Sequence, residues 1–139
     1  MWSWLRTLWP GSTATDDRGR EGEALAERHL RGLGCRILER RHRNRGGELD
    51  LVALDGDTIV FVEVKARTSD FAGHPTEAVT LDKRRRLTAA ALVYLKRRRW
   101  LGRRVRFDVI SITWTDDGTP PKLEHFRAAF EPPGFGQMW

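Results

Sequence analysis

A short turn between two apolar runs constrains this chain more than any other feature. Asp55-Gly56 lies between two stretches in which apolar residues alternate with other residues. Asp-Gly in this setting predicts a β-hairpin with a two-residue turn. In the predicted register, Leu54 pairs with Asp57 and Asp50 pairs with Phe61.

This register predicts which side chains lie together, because side chains alternate between faces and paired residues share a face. One face is expected to carry Glu48, Asp50, Val52, Leu54, Ile59, Phe61, Glu63 and Lys65. The other face is expected to carry Leu49, Leu51, Ala53, Val60, Val62 and Val64. Asp50 should lie diagonally across from Glu63, and a slip of one residue would separate them. Apolar residues on both faces predict a hairpin at the centre of a sheet that is covered on both sides.

Three carboxylates, those of Glu48, Asp50 and Glu63, gather at the end of the hairpin away from its turn. Such groups repel one another unless a positive group lies among them. Mg²⁺ suits this set, because it takes oxygen ligands and often uses one or two protein carboxylates together with water and phosphate. The sequence therefore predicts a divalent-metal site on the hairpin.

Composition indicates one domain with a polyanionic partner. The chain has 139 residues, enough for a single core, and a formal net charge of +6. This excess favours binding to nucleic acid, with a merely solvated basic surface as the alternative. Cys35 is the only cysteine, which excludes an internal disulfide and a cysteine-based zinc site and makes the reducing cytoplasm the expected location.

The two ends of the chain are predicted to lie outside the domain. Residues 1–18 should form a flexible, tryptophan-rich extension, residues 19–130 the domain, and residues 131–139 an irregular tail. The apolar N-terminal run is too short for a signal peptide, and no run has the length of a membrane-spanning helix. The tryptophans could touch a membrane interface, but no membrane partner is expected.

The remaining periodicities predict an α/β fold. The expected elements are a helix from about Arg20 to Leu33, a strand over Cys35–Arg43, the hairpin, a helix from about Thr76 to Trp100, a strand from about Val105 and a short strand over Lys122–Phe126. The order is αβββαβ with a possible final β.

Several sequence blocks, taken in order, resemble a known family. They are Gly22-Glu23-x-Leu25-Ala26, Gly34-x-x-Ile37-Leu38, Gly47 to Ala53, Val60 to Lys65 with Arg67, Gly73-x-Pro75-x-Glu77-Ala78-Val79, and Arg106 to Ile110. The spacing D-x12-E-x-K resembles the PD-(D/E)xK nuclease superfamily, whose restriction-endonuclease-like fold implies a mixed central sheet flanked by helices. The blocks together are more similar to the YraN-like uncharacterised bacterial family, related at fold level to archaeal Holliday-junction resolvases.

The resemblance implies roles for individual residues. Asp50 and Glu63 would bind a divalent metal, Mg²⁺ or Mn²⁺, with help from the carbonyl of Val64. Lys65 would orient or activate the attacking water. Glu23 corresponds to a helix glutamate that reaches the metal directly or through water. An exposed position in the first helical turn, stabilised by the helix dipole, is the alternative for Glu23.

Basic residues around the hairpin are candidates for contact with phosphate: Arg41, Arg43, Arg45, Arg67 and Lys83. A salt bridge along the second helix with Glu77 would explain Lys83 almost as well. Glu48 is predicted either to join the metal site or to pair with Arg43 or Arg45 at its rim. None of the four histidines is assigned to a metal.

Two functions remain open at this point. The first is a magnesium-dependent nuclease acting on DNA rather than RNA, with branched or junction structures as candidate substrates and a homodimer as a candidate assembly. The second is a nucleic-acid-binding protein of the same fold that does not cut. A weaker third is protein interaction through the tryptophan-rich start and the Pro-Gly tail.

Overall fold

The computed structural model describes residues 12–68 and 79–132, with side chains from residue 17 onward. Its elements are α1 (Ser12–Gly32), β1 (Arg36–Asn44), β2 (Gly47–Asp55), β3 (Thr58–Thr68), α2 (Leu81–Arg98), β4 (Val105–Trp114) and β5 (Lys122–Phe126). The strands form one five-stranded sheet in the order β1-β2-β3-β4-β5. β3 and β4 are parallel, and the other neighbours are antiparallel. The predicted mixed α/β fold, with its final strand, is confirmed.

The two helices cover opposite faces of the sheet. α2 connects β3 to β4, as a parallel pair requires, and packs on the face that carries Ile59 and Phe61. α1 packs on the other face, where Ala26 and Leu30 meet Val60. The hairpin is therefore buried on both sides, as predicted. Neither described helix is long and apolar enough to cross a membrane.

Helix α1 begins earlier than the sequence predicted. It starts at Ser12 rather than at about Arg20, so that part of the predicted linker is helical. No proline or glycine lies between residues 12 and 18, and polarity alone does not stop a helix. Within α1, Gly22 allows close packing, because a Cβ there would lie 3.3 Å from the Cβ of Ala66 on β3. The first eleven residues and the tail from residue 133 lie outside the described residues.

Helix α2 begins later than predicted. Its N-cap is Thr80, whose hydroxyl accepts a hydrogen bond from the N–H of Lys83 at 3.2 Å. A threonine at this position satisfies one of the donors that a helix start leaves without a partner. The predicted start at Thr76 is therefore wrong, and the helix begins at Leu81. It ends at Arg98, with Arg99 in the left-handed conformation.

The hairpin exists, but its turn lies one residue later than predicted. Asp55 pairs with Thr58 and Leu54 with Ile59, so the two turn residues are Gly56 and Asp57. Gly56 has φ 61°, a conformation that glycine adopts without steric cost. Moving the turn by one residue moves the register by two, which preserves the parity of the faces.

The alternation of β2 breaks at Asp50. Leu51 packs on the α1 side of the sheet, as predicted, but Leu49 packs on the α2 side, which corrects the prediction that both share a face. The paired ladder with β3 ends at Leu51, and beyond it the carboxylate of Asp50 accepts a hydrogen bond from the N–H of Val64 at 2.9 Å. On β1, Arg41 lies between the partners of Leu49 and Leu51 and has φ 47°. The pairing of β2 with β3 thus ends at the predicted site.

Candidate functional site

A cavity of about 440 Å³ opens where β2 and β3 separate, between α1 and the first turns of α2. Most of the predicted site residues line it: Glu23, Asp50, Glu63, Val64, Lys65, Arg43, Arg45 and Lys83. Arg41 lines an adjoining cavity, which Glu23 and Asp50 also reach. Arg67 lines neither of them. The fold thus brings every predicted catalytic side chain to one place.

The carboxylate of Asp50 lies among other negative groups. Burial raises the pKa of Asp50 well above its usual range, and the negative charges of Glu63 and Glu23 raise it further. The hydrogen bond from the N–H of Val64 acts in the opposite direction and does not outweigh them. A carboxylate in this setting takes up a proton or a cation more readily than one at the surface.

Two lysines compensate the charge of Glu63. The side chain of Glu63 is 8% exposed, and its Oε1 lies 2.6 Å from Nζ of Lys83 and 3.8 Å from Nζ of Lys65. Burial lowers the pKa of Lys65 to about 8, and the adjacent Lys83 contributes to the lowering. Burial acts on Lys83 in the same direction, but the attraction of Glu63 outweighs it and raises the pKa of Lys83. Lys83 is therefore a permanent cation, whereas Lys65 titrates near neutral pH.

Glu23 reaches the site from the middle of α1. Its Oε2 lies 2.8 Å from Nε and from Nη2 of Arg41. Because α1 begins at Ser12, Glu23 is not in the first turn, and the explanation by the helix dipole is wrong. Arg41 keeps its left-handed backbone conformation at a cost of roughly 1–3 kcal/mol, a feature often found at functional sites.

Cationic side chains form one rim of the cavity. Nε of Arg43 lies 3.4 Å from Oε2 of Glu48, so the predicted rim pair is present. Glu48 also lines the cavity, together with the exposed Arg45. The two interpretations of Glu48 are therefore compatible, because the ion pair and the candidate metal site are parts of one cavity.

The turn that carries this rim is held against α2. The side-chain amide of Asn44 donates a hydrogen bond to the carbonyl oxygen of Ala90 at 2.9 Å, and its oxygen accepts one from the N–H of Gly46 at 2.8 Å. A Cβ at Gly46 would lie 2.6 Å from the carbonyl oxygen of Ala89. Only glycine allows this close approach, which fixes the rim beside the lysines.

Comparison with known proteins identifies the family. The model of "Uncharacterised protein family UPF0102" matches residues 22–112, which include every predicted catalytic residue. The chain belongs to UPF0102. A UPF0102 protein of Geobacter metallireducens is 52% identical over 113 residues, covering 81% of this chain and 91% of that one. One from Anaeromyxobacter dehalogenans is 48% identical over 121 residues, covering 87% and 89%. One from Pseudomonas aeruginosa is 43% identical over 116 residues, covering 83% and 93%.

UPF0102 is a member of the PD-(D/E)xK nuclease-like superfamily, so the family resemblance drawn from the sequence is confirmed. The match starts at Gly22, the residue that lets α1 approach β3, and ends within β4. The UPF0102 region therefore includes the second half of α1, the hairpin and the lysines that line the cavity.

The donor set of this UPF0102 chain fits Mg²⁺ bound through few protein ligands. Among residues 17–68 and 79–132, no three His, Cys, Asp or Glu side chains are arranged to hold an ion. Asp50 and Glu63 are neighbours whose charges interact, and Val64 lines the same cavity. Mg²⁺ often uses one or two carboxylates and completes its octahedron with water and phosphate. The arrangement suits such a site and does not suit a cage of protein ligands.

Sequence reasoning missed the position of Lys83. The predicted alternatives were a phosphate contact and a helical salt bridge with Glu77, which lies outside the described residues. Instead, Lys83 is 14% exposed and contacts Glu63 at the centre of the site. A signal was available, since a lysine three residues after an N-cap threonine lies in the first turn of the helix. The facing strand, however, could not be deduced from that position.

A buried polar network lies on the α1 face of the sheet. The carboxylate of Asp108 accepts hydrogen bonds from Nε of Arg106 at 3.1 Å and from the N–H of Ala128 at 3.0 Å, and lies 2.8 Å from Nε2 of His125. His29 contacts the other ring nitrogen of His125 at 3.0 Å. These interactions connect α1, β4 and β5, and no pattern in the sequence predicted them.

Proposed function

We propose that this chain is a magnesium-dependent nuclease that hydrolyses phosphodiester bonds in DNA. The observation that carries the proposal is the pair of adjacent carboxylates, Asp50 and Glu63, with two lysines beside them in an open cavity with a cationic rim. Phosphate is attracted to such a rim, and the transition state gains negative charge that cations stabilise. A protein that only binds nucleic acid has no need to gather carboxylates where phosphate must approach.

The side chains have distinct tasks in this proposal. Asp50, Glu63 and the carbonyl of Val64 would hold Mg²⁺, which supplies Lewis-acid polarisation of the phosphate when it is bound. Lys65, with a pKa of about 8, exists in both protonation states near neutral pH. It can therefore accept a proton from a water molecule or donate a hydrogen bond to a phosphate oxygen. Glu23 is held by Arg41 at the edge of the same cavity, where it can orient water.

Cleavage assays test the proposal directly. Wild type is incubated with junction, flap, single-stranded and duplex DNA, and with the matching RNAs, in the presence of Mg²⁺ or Mn²⁺. Asp50→Asn and Lys65→Ala should lose cleavage by a factor of at least about 100, the scale of a lost catalytic group. Matched controls are Asp57→Asn and Lys122→Ala, both highly exposed and absent from the cavity lining, which should cut like wild type. A wild type that cuts nothing, or equal cutting by the site variants, refutes the proposal.

A non-cutting nucleic-acid-binding protein is the second candidate. The pairing of Glu63 with Lys83 favours it, because this contact satisfies the carboxylate without a metal. In that case DNA binding should survive Asp50→Asn unchanged and weaken steeply with salt, while no substrate is cut.

DNA as substrate of the proposed nuclease implies a cytoplasmic location, and paired cutting of a junction would require two active sites. Analytical ultracentrifugation with junction DNA tests the corresponding dimer.

A further inference from the structure

A second cationic surface lies at the far end of α2. We call it the far surface and define it by Lys96, Arg97, Arg99 and Arg103. The segment from Lys96 to Arg104 contains six basic and no acidic residues, and all six basic side chains are exposed. In the part of the chain that the structure describes, no ion pair involves the four defining residues. Basic residues in the last turn of a helix can stabilise it by interacting with the helix dipole. Arg103 lies beyond the helix, so this explanation does not apply to it.

The backbone of Arg99 indicates a role outside the fold. Arg99 occupies the left-handed position after α2, with φ 60° and ψ 40°, and its N–H donates to the carbonyl oxygens of Leu95 and Lys96. Glycine is the usual residue at this position, because it adopts a positive φ without steric cost. The cap hydrogen bonds use only the backbone and would be retained with glycine. The arginine side chain therefore has no structural task there among the described contacts.

Two arginines, Arg98 and the far-surface residue Arg103, stack on Trp100. Arg98 pairs with Glu39 and lies over the rings of Tyr94 and Trp100, at 4.6 and 5.3 Å. Arg103 lies over the same Trp100 ring at 5.3 Å. This stacking covers the indole, so the surface presents fixed positive charge rather than an aromatic platform for unpaired bases. Charge of this kind is complementary to a phosphate backbone.

The far surface and the candidate active site lie at the two ends of α2. Arg86 lines the cavity near the start of the helix, and Arg97 lies eleven residues later, which is about three turns and therefore the same side of the helix. At 1.5 Å per residue, Arg99 lies about 24 Å along the axis from Lys83, which contacts Glu63. Duplex DNA advances 3.4 Å per base pair, so this distance corresponds to about 7 base pairs.

We propose that the far surface binds the phosphate backbone of a double-stranded DNA arm about 7 base pairs from the candidate active site. Binding at the far surface does not depend on the proposed function. Only the expectation that the DNA is cut at the candidate active site rests on it. The binding is expected to be blind to sequence, because its contacts reach phosphates and not base edges.

The test uses the full chain and a labelled 20-base-pair duplex, with fluorescence anisotropy measured from 50 to 300 mM NaCl. Arg99→Gly is the diagnostic variant, since it removes the charge and the left-handed strain together. It should bind the duplex more weakly and lower the slope of log K against log salt by about 1, while its thermal midpoint stays equal or rises. The triple variant Arg97→Gln, Arg99→Gly and Arg103→Gln should lower the slope by about 3. Lys122→Gln, the same charge change at β5, is the matched control and should lower the slope by less than 1.

Other results overturn the inference. If the triple variant binds the duplex with the slope and affinity of wild type, the far surface does not contact DNA. If its DNA affinity is unchanged but wild type alone binds vesicles containing anionic lipid, the partner is a membrane surface. Failure of the nuclease proposal is distinguishable from failure of this inference. If wild type cuts no substrate but the triple variant still has a lower slope of log K against log salt than wild type, the nuclease proposal fails and this inference stands.

Discussion

Lys83 is expected to oppose the binding of a metal ion at Glu63. Its Nζ lies 2.6 Å from Oε1 of Glu63, and both side chains are largely buried. A cation that approaches this carboxylate must either displace the ammonium group or bind beside it. Replacing Lys83 by methionine removes the charge and keeps most of the aliphatic volume, so the variant isolates this electrostatic effect.

The magnitude follows from the geometry. A Mg²⁺ ion bound 2.0–2.1 Å from the other oxygen of Glu63 would lie about 5 Å from the ammonium nitrogen. At that distance a divalent ion and an ammonium group repel each other by roughly 6–7 kcal/mol at an effective dielectric constant of about 20, and by roughly 1.5–2 kcal/mol in water. Both side chains are largely buried beside an open cavity, so the lower value is the minimum effect expected. A gain of 1.4 kcal/mol is tenfold in affinity, and Lys83→Met should therefore bind Mn²⁺ at least tenfold more tightly.

Isothermal titration calorimetry with Mn²⁺ measures the effect without reference to cleavage. Lys65→Met is the matched control, because its ammonium group lies farther from Glu63, at 3.8 Å, and is partly neutral near pH 8. It should tighten binding less than Lys83→Met does. Lys83→Gln retains a donor for Glu63 and serves if the methionine variant unfolds.

Equal or weaker Mn²⁺ binding by both Lys83 variants would refute this reasoning. That result would mean that the lysine holds Glu63 in the geometry which the metal needs, and that this positioning outweighs the repulsion. A second readout tests the electrostatic effect of Lys83 without a metal: loss of Lys83 should raise the pKa of Lys65, which burial lowers most and the neighbouring ammonium group lowers further. NMR titration of the Lys65 side chain measures that change.

Three further variants probe stability. Asp50→Asn should raise the thermal midpoint of the metal-free protein near pH 7 by a few degrees. The pKa of Asp50 is raised in the folded protein, so its charged form costs folding free energy above the unfolded pKa of about 4. Calorimetry measures the midpoint, and unchanged melting would contradict this. Asp108→Asn should cost roughly 3 kcal/mol in urea unfolding at pH 7, because it weakens a buried ionic network. Although burial alone would raise the pKa of Asp108, its hydrogen bonds with His125 and Arg106 outweigh burial and lower the pKa, so wild type should lose this stability as pH falls below about 4 and the variant should not. Gly46→Ala should cost roughly 1–3 kcal/mol, since its Cβ would lie 2.6 Å from backbone, whereas Gly32→Ala, with open space around it, should be neutral or stabilising in the same assay.

The grouping of the hairpin side chains was predictable because it depends on parity. The sequence placed the turn at Asp55-Gly56, and the structure has it at Gly56-Asp57. Both turns contain two residues, so the register differs by an even number and Glu63 stays on the α2 side with Phe61. The structure brings Asp50 closer to Glu63 than the predicted diagonal, because the corrected register places them at opposing positions just beyond the paired ladder.

The side on which Leu49 packs could not be predicted from the pattern. Period-two alternation assumes an unbroken strand, and both Leu49 and Leu51 fit it equally well. The break arises because the carboxylate of Asp50 takes the N–H of Val64, a side-chain hydrogen bond in place of ladder pairing. Local sequence propensity does not predict such a bond, because the donor lies fourteen residues further along the chain.

Contacts between separate helices and strands could also not be predicted from the sequence. The position of Lys83 beside Glu63 depends on how α2 crosses the sheet, and that crossing depends on the close approach of Gly46 to Ala89. In the sequence, Gly46 stands beside Gly47 just before the hairpin, and this pattern indicates only a turn. A glycine needed for space and a glycine needed for a turn look the same in one sequence, because both only record the absence of a side chain.

The break in β2 and the chemistry of the site have one physical origin. Regular pairing beyond Leu51 would have kept the carboxylate of Asp50 on one face of the sheet, away from the backbone of Val64. Instead, the bond to Val64 fixes the carboxylate between the strands, where burial and the charges of Glu63 and Glu23 raise its pKa. On the other side of Asp50, Arg41 adopts a left-handed conformation and holds Glu23. The fold thus maintains an unfavourable concentration of negative charge beside one strained position, Arg41, and a bound cation is the interaction that would make this arrangement favourable.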